Sequence, residues 1–308
     1  MGLMRRLLLM ASQSAWLRER ATRYWFVRRS VRRFMPGEAA DEALAAAAGL
    51  QQQGISTLFT LLGENVAREQ EAEAVRDHYC GLLRRIGELS LPSEVSVKLT
   101  QLGLDLGVET CYRKLEAIIR AAGPASVVWI DMESSAYTDR TLEIYRSALG
   151  RYRNVGVCLQ SYLHRTAEDL QTLIPLGGAI RLVKGAYDEP ASLAYARKKD
   201  VDENYLRLAG PMLGPEARRA GVRAAFGTHD KALIARIQRL AESLSLPKSG
   251  LEFQMLYGIQ RQEQVGLARE GWRSIVLIAY GSYWFPWFMR RLAERPANLW
   301  FVLRNLFS

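Results

Sequence analysis

Two adjacent arginines near the C-terminal end of the chain are the first residues whose setting suggests chemistry. Arg290 and Arg291 stand in the segment PWFMRRLAERP. The residues just before them include four aromatic side chains, Trp284, Phe285, Trp287 and Phe288. A guanidinium fork matches a carboxylate, and aromatic neighbours strengthen that pairing by excluding water. The pair therefore indicates a site for an anion, although two adjacent arginines taken alone are more often a solvated helix surface.

A regular alternation of apolar runs and amphipathic stretches begins at residue 55. The apolar runs lie at 55–62, 94–100, 126–132, 155–161, 179–185, 222–228, 251–257 and 274–280. Amphipathic stretches between them include 109–122, 138–149, 230–244 and 261–270. Near-continuous Val, Ile and Leu content predicts strands buried on both faces, as in a parallel sheet. Repeated strand–helix units over about 240 residues predict an α/β fold of the (β/α)8 TIM-like barrel class. A doubly wound sheet is the alternative, which the lack of a dinucleotide-binding glycine motif disfavours.

Polar side chains stand at the ends of nearly all these runs. They are Glu64, Lys98, Asp131, Gln160, Lys184, Thr228 with His229, Gln254 and Tyr280, while Arg181 lies within the fifth run. The carboxyl ends of barrel strands meet on one face, where the active sites of such barrels lie. An unpaired charge is costly to bury, so a convergent polar set indicates a polar ligand better than isolated structural ion pairs do.

The composition limits the class of protein and the compartment. The chain is 49% apolar and 24% charged, which is ordinary for a globular protein. Its three cysteines and three histidines lack disulfide or metal-ligand spacing, so we expect a reducing compartment and no metal site. No apolar run approaches the ~20 residues of a membrane-spanning helix, and the stretch LLLMA is too short for a signal peptide.

The positive charge is concentrated at the N-terminus. Residues 1–35 contain nine arginines and one acidic residue, Glu19, whereas the net charge of the whole chain is +10. Interleaved Leu, Trp and Phe suit an interfacial helix on an anionic membrane, and a solvated or packed helix is the alternative. No reader motif for nucleic acid accompanies this charge. Residues 36–54 predict one helix from Pro36 to Gly54. We therefore expect an N-terminal helical arm over 1–54, basic over 1–35, and a catalytic barrel over 55–308.

Six segments, in order, resemble the FAD-dependent proline dehydrogenases. They are SVKLTQLG, IDMES, RLVKGAY, THD, EFQMLYG and FMRRLAERPAN, and the likeness extends from residue 36 to 300. The same fold forms one domain of the bifunctional proline-utilisation proteins, whereas this chain resembles the short, stand-alone bacterial form. The resemblance implies a distorted barrel with non-covalent FAD. It also implies oxidation of L-proline to Δ1-pyrroline-5-carboxylate, the first step of proline catabolism, with electrons passed to a membrane quinone.

The resemblance also implies roles for individual residues. Three cations are expected at the proline carboxylate, namely Lys98, Arg290 and Arg291. The walls around the apolar ring are expected from Leu182, Tyr187, Leu256 and Tyr280. The expected FAD contacts are Met132, Gln160, Arg181, Lys184, Gly185, Ala186, Thr228 and His229. Asp131 and Arg181 are the expected catalytic residues, and Glu64 is expected to form half of a gate. Whether Asp131 orients an arginine or Tyr280, or handles the amine proton, stays open.

Some features bear on substrate and location. Trp287 stands where the family often has Tyr, which removes a hydroxyl from the pocket rim, whereas Tyr280 favours proline over hydroxyproline. The alternatives are a hydroxyproline dehydrogenase, a Schiff-base barrel lyase or aldolase using Lys184 or Lys98, and a membrane-binding module without catalysis. We expect a cytoplasmic protein held peripherally on the inner face of the cell membrane by its basic arm, with the mitochondrial matrix as a minor alternative.

Overall fold

A computed structural model describes residue 20 and residues 31–294 of the 308-residue chain. Its centre is a closed barrel of parallel strands in which each strand pairs with its neighbours in chain order. The strands are β1 (Ser56–Leu61), β2 (Ser93–Val97), β3 (Val128–Ile130), β4 (Val155–Gln160), β5 (Gly178–Val183), β6 (Val222–Gly227), β7 (Leu251–Leu256) and β8 (Arg273–Tyr280). Pairing of β1 with β8 closes the barrel. The predicted barrel class is confirmed.

Helices surround the strands in the described part of the chain. They are α1 (Ala40–Gln51), α2 (Glu69–Glu88), α3 (Val108–Ala122), α4 (Thr138–Leu149), α5 (Thr166–Leu173), α6 (Lys198–Leu213), α7 (Pro215–Ala220), α8 (Lys231–Ser243), α9 (Arg261–Arg269) and α10 (Trp284–Glu294). Short 3-10 turns lie at Ser135–Tyr137, Ile174–Leu176 and Lys248–Gly250. None of the described helices is long and apolar enough to cross a membrane.

The first helix differs from its prediction. It begins at Ala40 and not at Pro36, because residues 36–39 form bends and the Ala39 amide donates to the Glu42 carboxylate at 3.1 Å. Its buried side chains, Ala43 and Leu44 among them, join the main core, and the helix packs against β1 and β8. The domain boundary at residue 54 stays a prediction, although this helix is part of the barrel's packing.

The barrel interior divides into an apolar part and a polar part. An apolar cluster of inward-facing side chains joins Leu58, Trp129, Ala179, Ala225 and Ile275. Because strand side chains alternate between the two faces, every second residue of each strand faces this interior. Farther along the strands the inward-facing residues become polar, so the sequence leaves an open, polar C-terminal end.

Helix α10 lies over that open end. Its Phe285 and Phe288 pack with Val31, Phe34 and Met35, in a cluster that also contains Leu62, Ala279 and Trp284. Gly258, at a φ of 76°, fits beneath this segment because any Cβ there would overlap the Arg33 carbonyl oxygen. Helix α10 therefore caps the barrel mouth. The rest of the basic arm, apart from Arg20, lies outside the described residues.

Candidate active site

One cavity of about 750 Å³ opens at the C-terminal end of the barrel. Its size falls within the roughly 300–1,000 Å³ usual for cofactor and ligand pockets. Fourteen of the sixteen residues that the sequence assigns to substrate, cofactor or catalysis line it. They are Lys98, Asp131, Met132, Gln160, Arg181, Lys184, Gly185, Ala186, Tyr187, Thr228, His229, Leu256, Arg290 and Arg291. The structure thus brings together residues from β2 to β7 and from α10.

Leu182 is the first of the two residues that do not line the cavity. Its neighbours Arg181 and Val183 both line the cavity, whereas Leu182 is fully buried in the core outside the barrel wall. The Tyr205 hydroxyl donates to its carbonyl oxygen at 2.8 Å from helix α6. Alternation along β5 explains this placement, because a residue next to the inward-facing Arg181 must face outward. The predicted wall role of Leu182 is therefore wrong for its side chain.

Tyr280 is the second such residue. Its side chain is fully buried behind β8, and its hydroxyl lies 2.6 Å from His78 Nε2 on α2. The cavity is lined instead by Leu277 of the same strand. Positions three apart on a strand face opposite sides, so Leu277 and Tyr280 cannot both point inward. The expectation that Tyr280 walls the cavity is corrected, and with it the argument from Tyr280 for proline over hydroxyproline.

Arg181 is held rigidly at the cavity wall. Only 3% of the residue is exposed, and its guanidinium donates to Asp131, to Ser96 Oγ at 3.0 Å and to Gln254 Oε1 at 3.0 Å. Its guanidinium carbon also lies 5.2 Å from the centre of the Trp129 ring. A buried cation needs such partners, because burying it unpaired would be very costly. The result is a fixed positive charge facing the cavity.

Asp131 is one of the residues that hold the Arg181 guanidinium in place. Besides Arg181 it accepts a hydrogen bond from Ser96 Oγ at 2.7 Å. Of the two side chains that Asp131 was expected to orient, an arginine or Tyr280, the structure shows the arginine. Arg181 contacts Asp131, whereas Tyr280 lies behind the barrel wall. Ser96 was not identified from the sequence; its position two residues before Lys98 on β2 is the signal that could have placed it inward.

A second group of cations surrounds the cavity beneath α10. Arg290 forms a two-pronged ion pair with Glu64, at 2.9 Å and 3.2 Å. The Arg291 guanidinium carbon lies 6.0 Å from the centre of the Trp287 ring, which also lines the cavity. Within the described residues the Lys98 ammonium makes no hydrogen bond or ion pair. Arg290 therefore already has the geometry for a carboxylate, and Glu64 currently supplies one.

Lys184 belongs to a cluster of opposite charges at the cavity edge. Its ammonium lies 2.6 Å from Asp202 and 3.0 Å from Asp230, and Lys198 contacts both aspartates as well. Burial alone would raise the pKa of Asp230, but the two ammonium groups outweigh it and hold that pKa at about 2. Asp230 also caps α8 by accepting from the Ala232 amide at 3.2 Å. The Lys184 side chain is consequently held in place by two carboxylates.

The remaining polar groups offer donors and acceptors to a ligand. Gln160 donates to the Met132 carbonyl at 3.2 Å, while its buried Oε1 has no hydrogen-bond partner in the described part of the chain. His229 Nε2 accepts from the Leu256 amide at 2.8 Å, which leaves the ring proton on Nδ1. Gly185, at a φ of 107°, lets the chain pass close to Tyr162, whose ring a Cβ would overlap. These groups suit a ligand with several polar edges.

Two glutamates that the sequence did not single out, the buried Glu133 and the half-buried Glu189, hold the surrounding loops. Glu133 accepts from the amide and the hydroxyl of Thr100, at 3.0 Å and 2.6 Å, and so fixes the loop after Lys98. Burial raises the pKa of Glu133 despite these two hydrogen bonds. Glu189 accepts from the amide and the hydroxyl of Ser135, at 2.7 Å and 2.5 Å, and ties down the loop after β5. A glutamate in a loop is usually exposed to solvent, so the sequence gives little reason to assign either residue a structural role. Only Glu133 could have been identified, because it lies inside the segment IDMES.

Comparison with known proteins identifies the family of this chain. The sequence model of the family described as Proline dehydrogenase matches residues 43–304. Proline dehydrogenase 1 of Bacillus subtilis (strain 168) is 38% identical over 305 residues, 99% of each chain. Proline dehydrogenase of Deinococcus radiodurans is 36% identical over 283 residues, 89% of each chain. The crystal structure of proline utilization A from Bdellovibrio bacteriovorus, inactivated by N-propargylglycine, matches with a TM-score of 0.81 at 24% identity. That match covers 95% of this chain and 36% of the other, and it bears on the fold. The chain belongs to the proline dehydrogenase family.

Proposed function

We propose that this protein oxidises L-proline to Δ1-pyrroline-5-carboxylate with non-covalent FAD and passes the electrons to a membrane quinone. The observation that carries the proposal is the cavity itself. It is lined by Lys98, Arg290 and Arg291, which suit a carboxylate, and by the fixed cation Arg181. Membership of the proline dehydrogenase family supports the same substrate. This reaction would be the first step of proline catabolism.

Binding of the substrate carboxylate would use the cations beneath α10. Consecutive helix residues point about 100° apart, so two adjacent arginines reach one anion only where the helix crosses above it. Helix α10 covers the cavity mouth, and both arginines line the cavity. Because Glu64 occupies the Arg290 fork, an incoming carboxylate must compete with it. Opening of the Glu64–Arg290 pair would then accompany substrate entry, as expected for a gate.

The cavity lining fits a flavin. Gln160 Oε1, which has no hydrogen-bond partner within the described residues, offers an acceptor for a ring N–H, and His229 also lines the cavity. Gly185 lets the chain pass directly against the Tyr162 ring, and both residues line the cavity. Arg181 would face the flavin, and Met132, Lys184, Ala186 and Thr228 complete the set that would hold the cofactor. When bound, FAD supplies the acceptor for the hydride that leaves C5 of the proline ring.

The chain's own contribution is to position and to exclude water. Holding the carboxylate fixes the ring in the cavity, and positioning accounts for much of what a hydride transfer requires of a protein. Tyr187 lines the cavity, and burial raises the pKa of its hydroxyl well above the usual value, so it stays a neutral donor. Asp131 is occupied by Arg181 and Ser96, so we assign it the role of holding Arg181 in place.

The alternatives differ in how well the contacts support them. A Schiff-base enzyme needs a lysine nitrogen that can reach a carbonyl carbon, and the Lys184 nitrogen is engaged by two aspartates. Lys98 is the lysine that such a mechanism would have to use. Hydroxyproline remains a substrate to compare directly, since Leu277 and not Tyr280 faces the cavity.

The test uses purified full-length protein. We expect a flavin absorption spectrum that L-proline bleaches under anaerobic conditions, with release of Δ1-pyrroline-5-carboxylate. Hydroxyproline serves as the comparison substrate. A colourless protein, or a flavin spectrum unchanged by L-proline, would contradict the proposal. Trapping of a carbonyl substrate by borohydride, lost in Lys98→Ala, would instead support the lyase.

A further inference from the structure

A buried chain of hydrogen bonds links Arg181 to the opposite end of the barrel. Arg181 Nη1 donates to Gln254 Oε1 at 3.0 Å, and Gln254 Nε2 donates to Glu252 Oε1 at 2.8 Å. Glu252 in turn accepts from Arg223 at 2.8 Å and lies 3.2 Å from Arg273 Nη2. Glu252, Arg223 and Arg273 all stand at the first or second residue of their strands. The chain therefore extends from the start of the strands to the cavity wall.

A second branch of the network reaches Arg181 through Trp129. Arg223 also donates to Glu94 at 2.6 Å, and Glu94 accepts from Trp129 Nε1 at 2.7 Å. The Trp129 ring has the Arg181 guanidinium carbon at 5.2 Å and the Arg223 guanidinium carbon at 5.4 Å from its centre. This branch shares Arg223 with the first one, but it does not touch Gln254.

The network is not needed to fill the barrel. Glu252 is 0% exposed and Gln254 is 4% exposed, and both lie beside an apolar layer of Leu58 and Ile275. Buried ion pairs are often no more stabilising than apolar side chains of the same volume. Stability alone is therefore a weak reason for these residues, whereas a defined hydrogen-bond direction toward Arg181 is a specific one.

Glu252 determines which way round the Gln254 amide sits. A carboxylate only accepts hydrogen bonds, so it holds the Gln254 amino group and turns Oε1 toward Arg181. If the amide were reversed, its amino group would face the guanidinium, and two donors would then oppose each other. The contact that anchors Arg181 Nη1 thus depends on a residue that itself lies away from the cavity lining.

We infer that Glu252 is a positioning residue for the flavin reaction, acting through Gln254 to fix the Arg181 guanidinium at the cavity wall. This inference rests on the proposed function, in which Arg181 faces the bound flavin. A cation held close to the flavin raises its electron affinity, so loss of that position should lower the flavin's reduction potential.

The deciding measurement is the reduction potential of the FAD bound to the full chain. In Glu252→Gln, Arg223 and Arg273 would hold the amide oxygen at the present Oε2 position, so the new amino group would face Gln254. That donor turns Gln254 over and releases Arg181. Gln254→Leu removes the contact to Arg181 without any change in charge. We expect both variants to lower the equilibrium constant for flavin reduction at least about tenfold, about 30 mV for a two-electron couple. Glu94→Gln is the control for lost charge, since it removes one carboxylate from the same Arg223 without touching Gln254, and its potential should not fall.

The possible results distinguish a failure of this inference from a failure of the proposed function. Loss of a negative charge alone would raise the potential in Glu252→Gln, and that result would overturn the inference. Unchanged potentials in Glu252→Gln and Gln254→Leu, or an equal fall in Glu94→Gln, would overturn it too. If Glu252→Gln does not fold, Gln254→Leu decides by itself. A wild-type protein that binds no FAD would overturn the proposed function and this inference together, whereas a wild type bleached by proline with unshifted variants overturns this inference alone.

Discussion

Arg290 and Arg291 are neighbours in sequence, but they have different surroundings. Arg290 is engaged by both oxygens of Glu64, whereas Arg291 lies near the Trp287 ring. Their side chains reach one cavity because α10 crosses the barrel mouth and does not lie along the wall. The effect of replacing each arginine therefore depends on the side chains that contact it as well as on its charge.

Replacing either arginine by alanine should weaken proline binding. We expect Arg290→Ala and Arg291→Ala to raise the KM for proline by at least about tenfold, because a desolvated charge pair contributes about 2–5 kcal/mol. FAD content should change little by comparison. Arg269→Ala, on the exposed side of α9, is the control and should behave as wild type. Steady-state kinetics with both variants test this, and unchanged proline kinetics in both would rule out the carboxylate assignment.

Substrate choice should respond to Leu277 and not to Tyr280. Leu277→Ser removes bulk from the cavity wall, so the ratio of kcat/KM for hydroxyproline to that for proline should rise by about tenfold, within the 1–3 kcal/mol usual for such a change. Tyr280→Phe should leave this ratio unchanged, while loss of its hydrogen bond to His78 lowers the free energy of unfolding by about 1 kcal/mol. Kinetics with both substrates and denaturant unfolding measure the two effects. A ratio that moved in Tyr280→Phe alone would place Tyr280 in the cavity after all.

At the scale of elements, the hydrophobic pattern predicts most of the fold. The apolar runs 155–161 and 251–257 match β4 and β7 to within one residue, and the stretch 138–149 matches α4 at both ends. These elements are predictable because burial on both faces leaves a continuous apolar signal. The start of α1 is not, since Pro36 satisfies a local rule for helix starts while the chain actually turns until Ala40.

The same scale explains which site residues could be predicted. A strand's period of two decides whether a residue faces the cavity, and that period could have excluded Leu182 beside Arg181. It also places Leu277 and Tyr280 on opposite faces. Long-range partners such as Gln254 for Arg181 could not be predicted, because seventy-three positions separate them and only barrel closure brings them together.

The start of α8 should show a pH-dependent contribution to stability from Asp230. Its folded pKa of about 2 lies below the usual 3.8, so its stabilising effect is complete above 3.8 and is lost as the pH falls through about 2. Asp230→Asn keeps a good helix cap but removes the charge between Lys184 and Lys198. The difference in free energy of unfolding between wild type and Asp230→Asn should be constant above pH 5 and shrink from about pH 4 to about pH 2.

Denaturant unfolding at a series of pH values measures this difference. Asp188→Asn, at an exposed position in the loop after β5, is the matched control for an Asp-to-Asn substitution and is measured over the same pH series. A wild-type minus Asp230→Asn difference that did not change across this range would mean that the two lysines do not stabilise the Asp230 charge.

At the scale of the whole molecule, the segment just before the barrel is a structural part of the active-site roof. Val31, Phe34 and Met35 are at most 4% exposed and pack on α10, which carries the two arginines. Burying side chains of this size contributes about 1.5–3 kcal/mol each. Removal of this segment would uncover the apolar face of α10, so the arm must be divided at residue 31 when its role is tested.

We predict that deleting residues 1–30 leaves proline oxidation with a soluble dye acceptor largely intact, because the deletion ends before Val31. The same deletion should reduce co-sedimentation with anionic vesicles and turnover with vesicle-embedded quinone. The deleted residues carry seven of the arginines, and each basic residue near an anionic leaflet is worth about 1 kcal/mol, an attraction that salt screens. High salt should therefore reproduce part of the effect.

Deleting residues 1–35 is the comparison, and it should also lower thermal stability and FAD content because α10 loses its packing. If the protein lacking residues 1–30 still pelleted with vesicles as well as the full chain, the arm would not be the membrane contact; if it lost FAD, the arm would instead pack on the barrel.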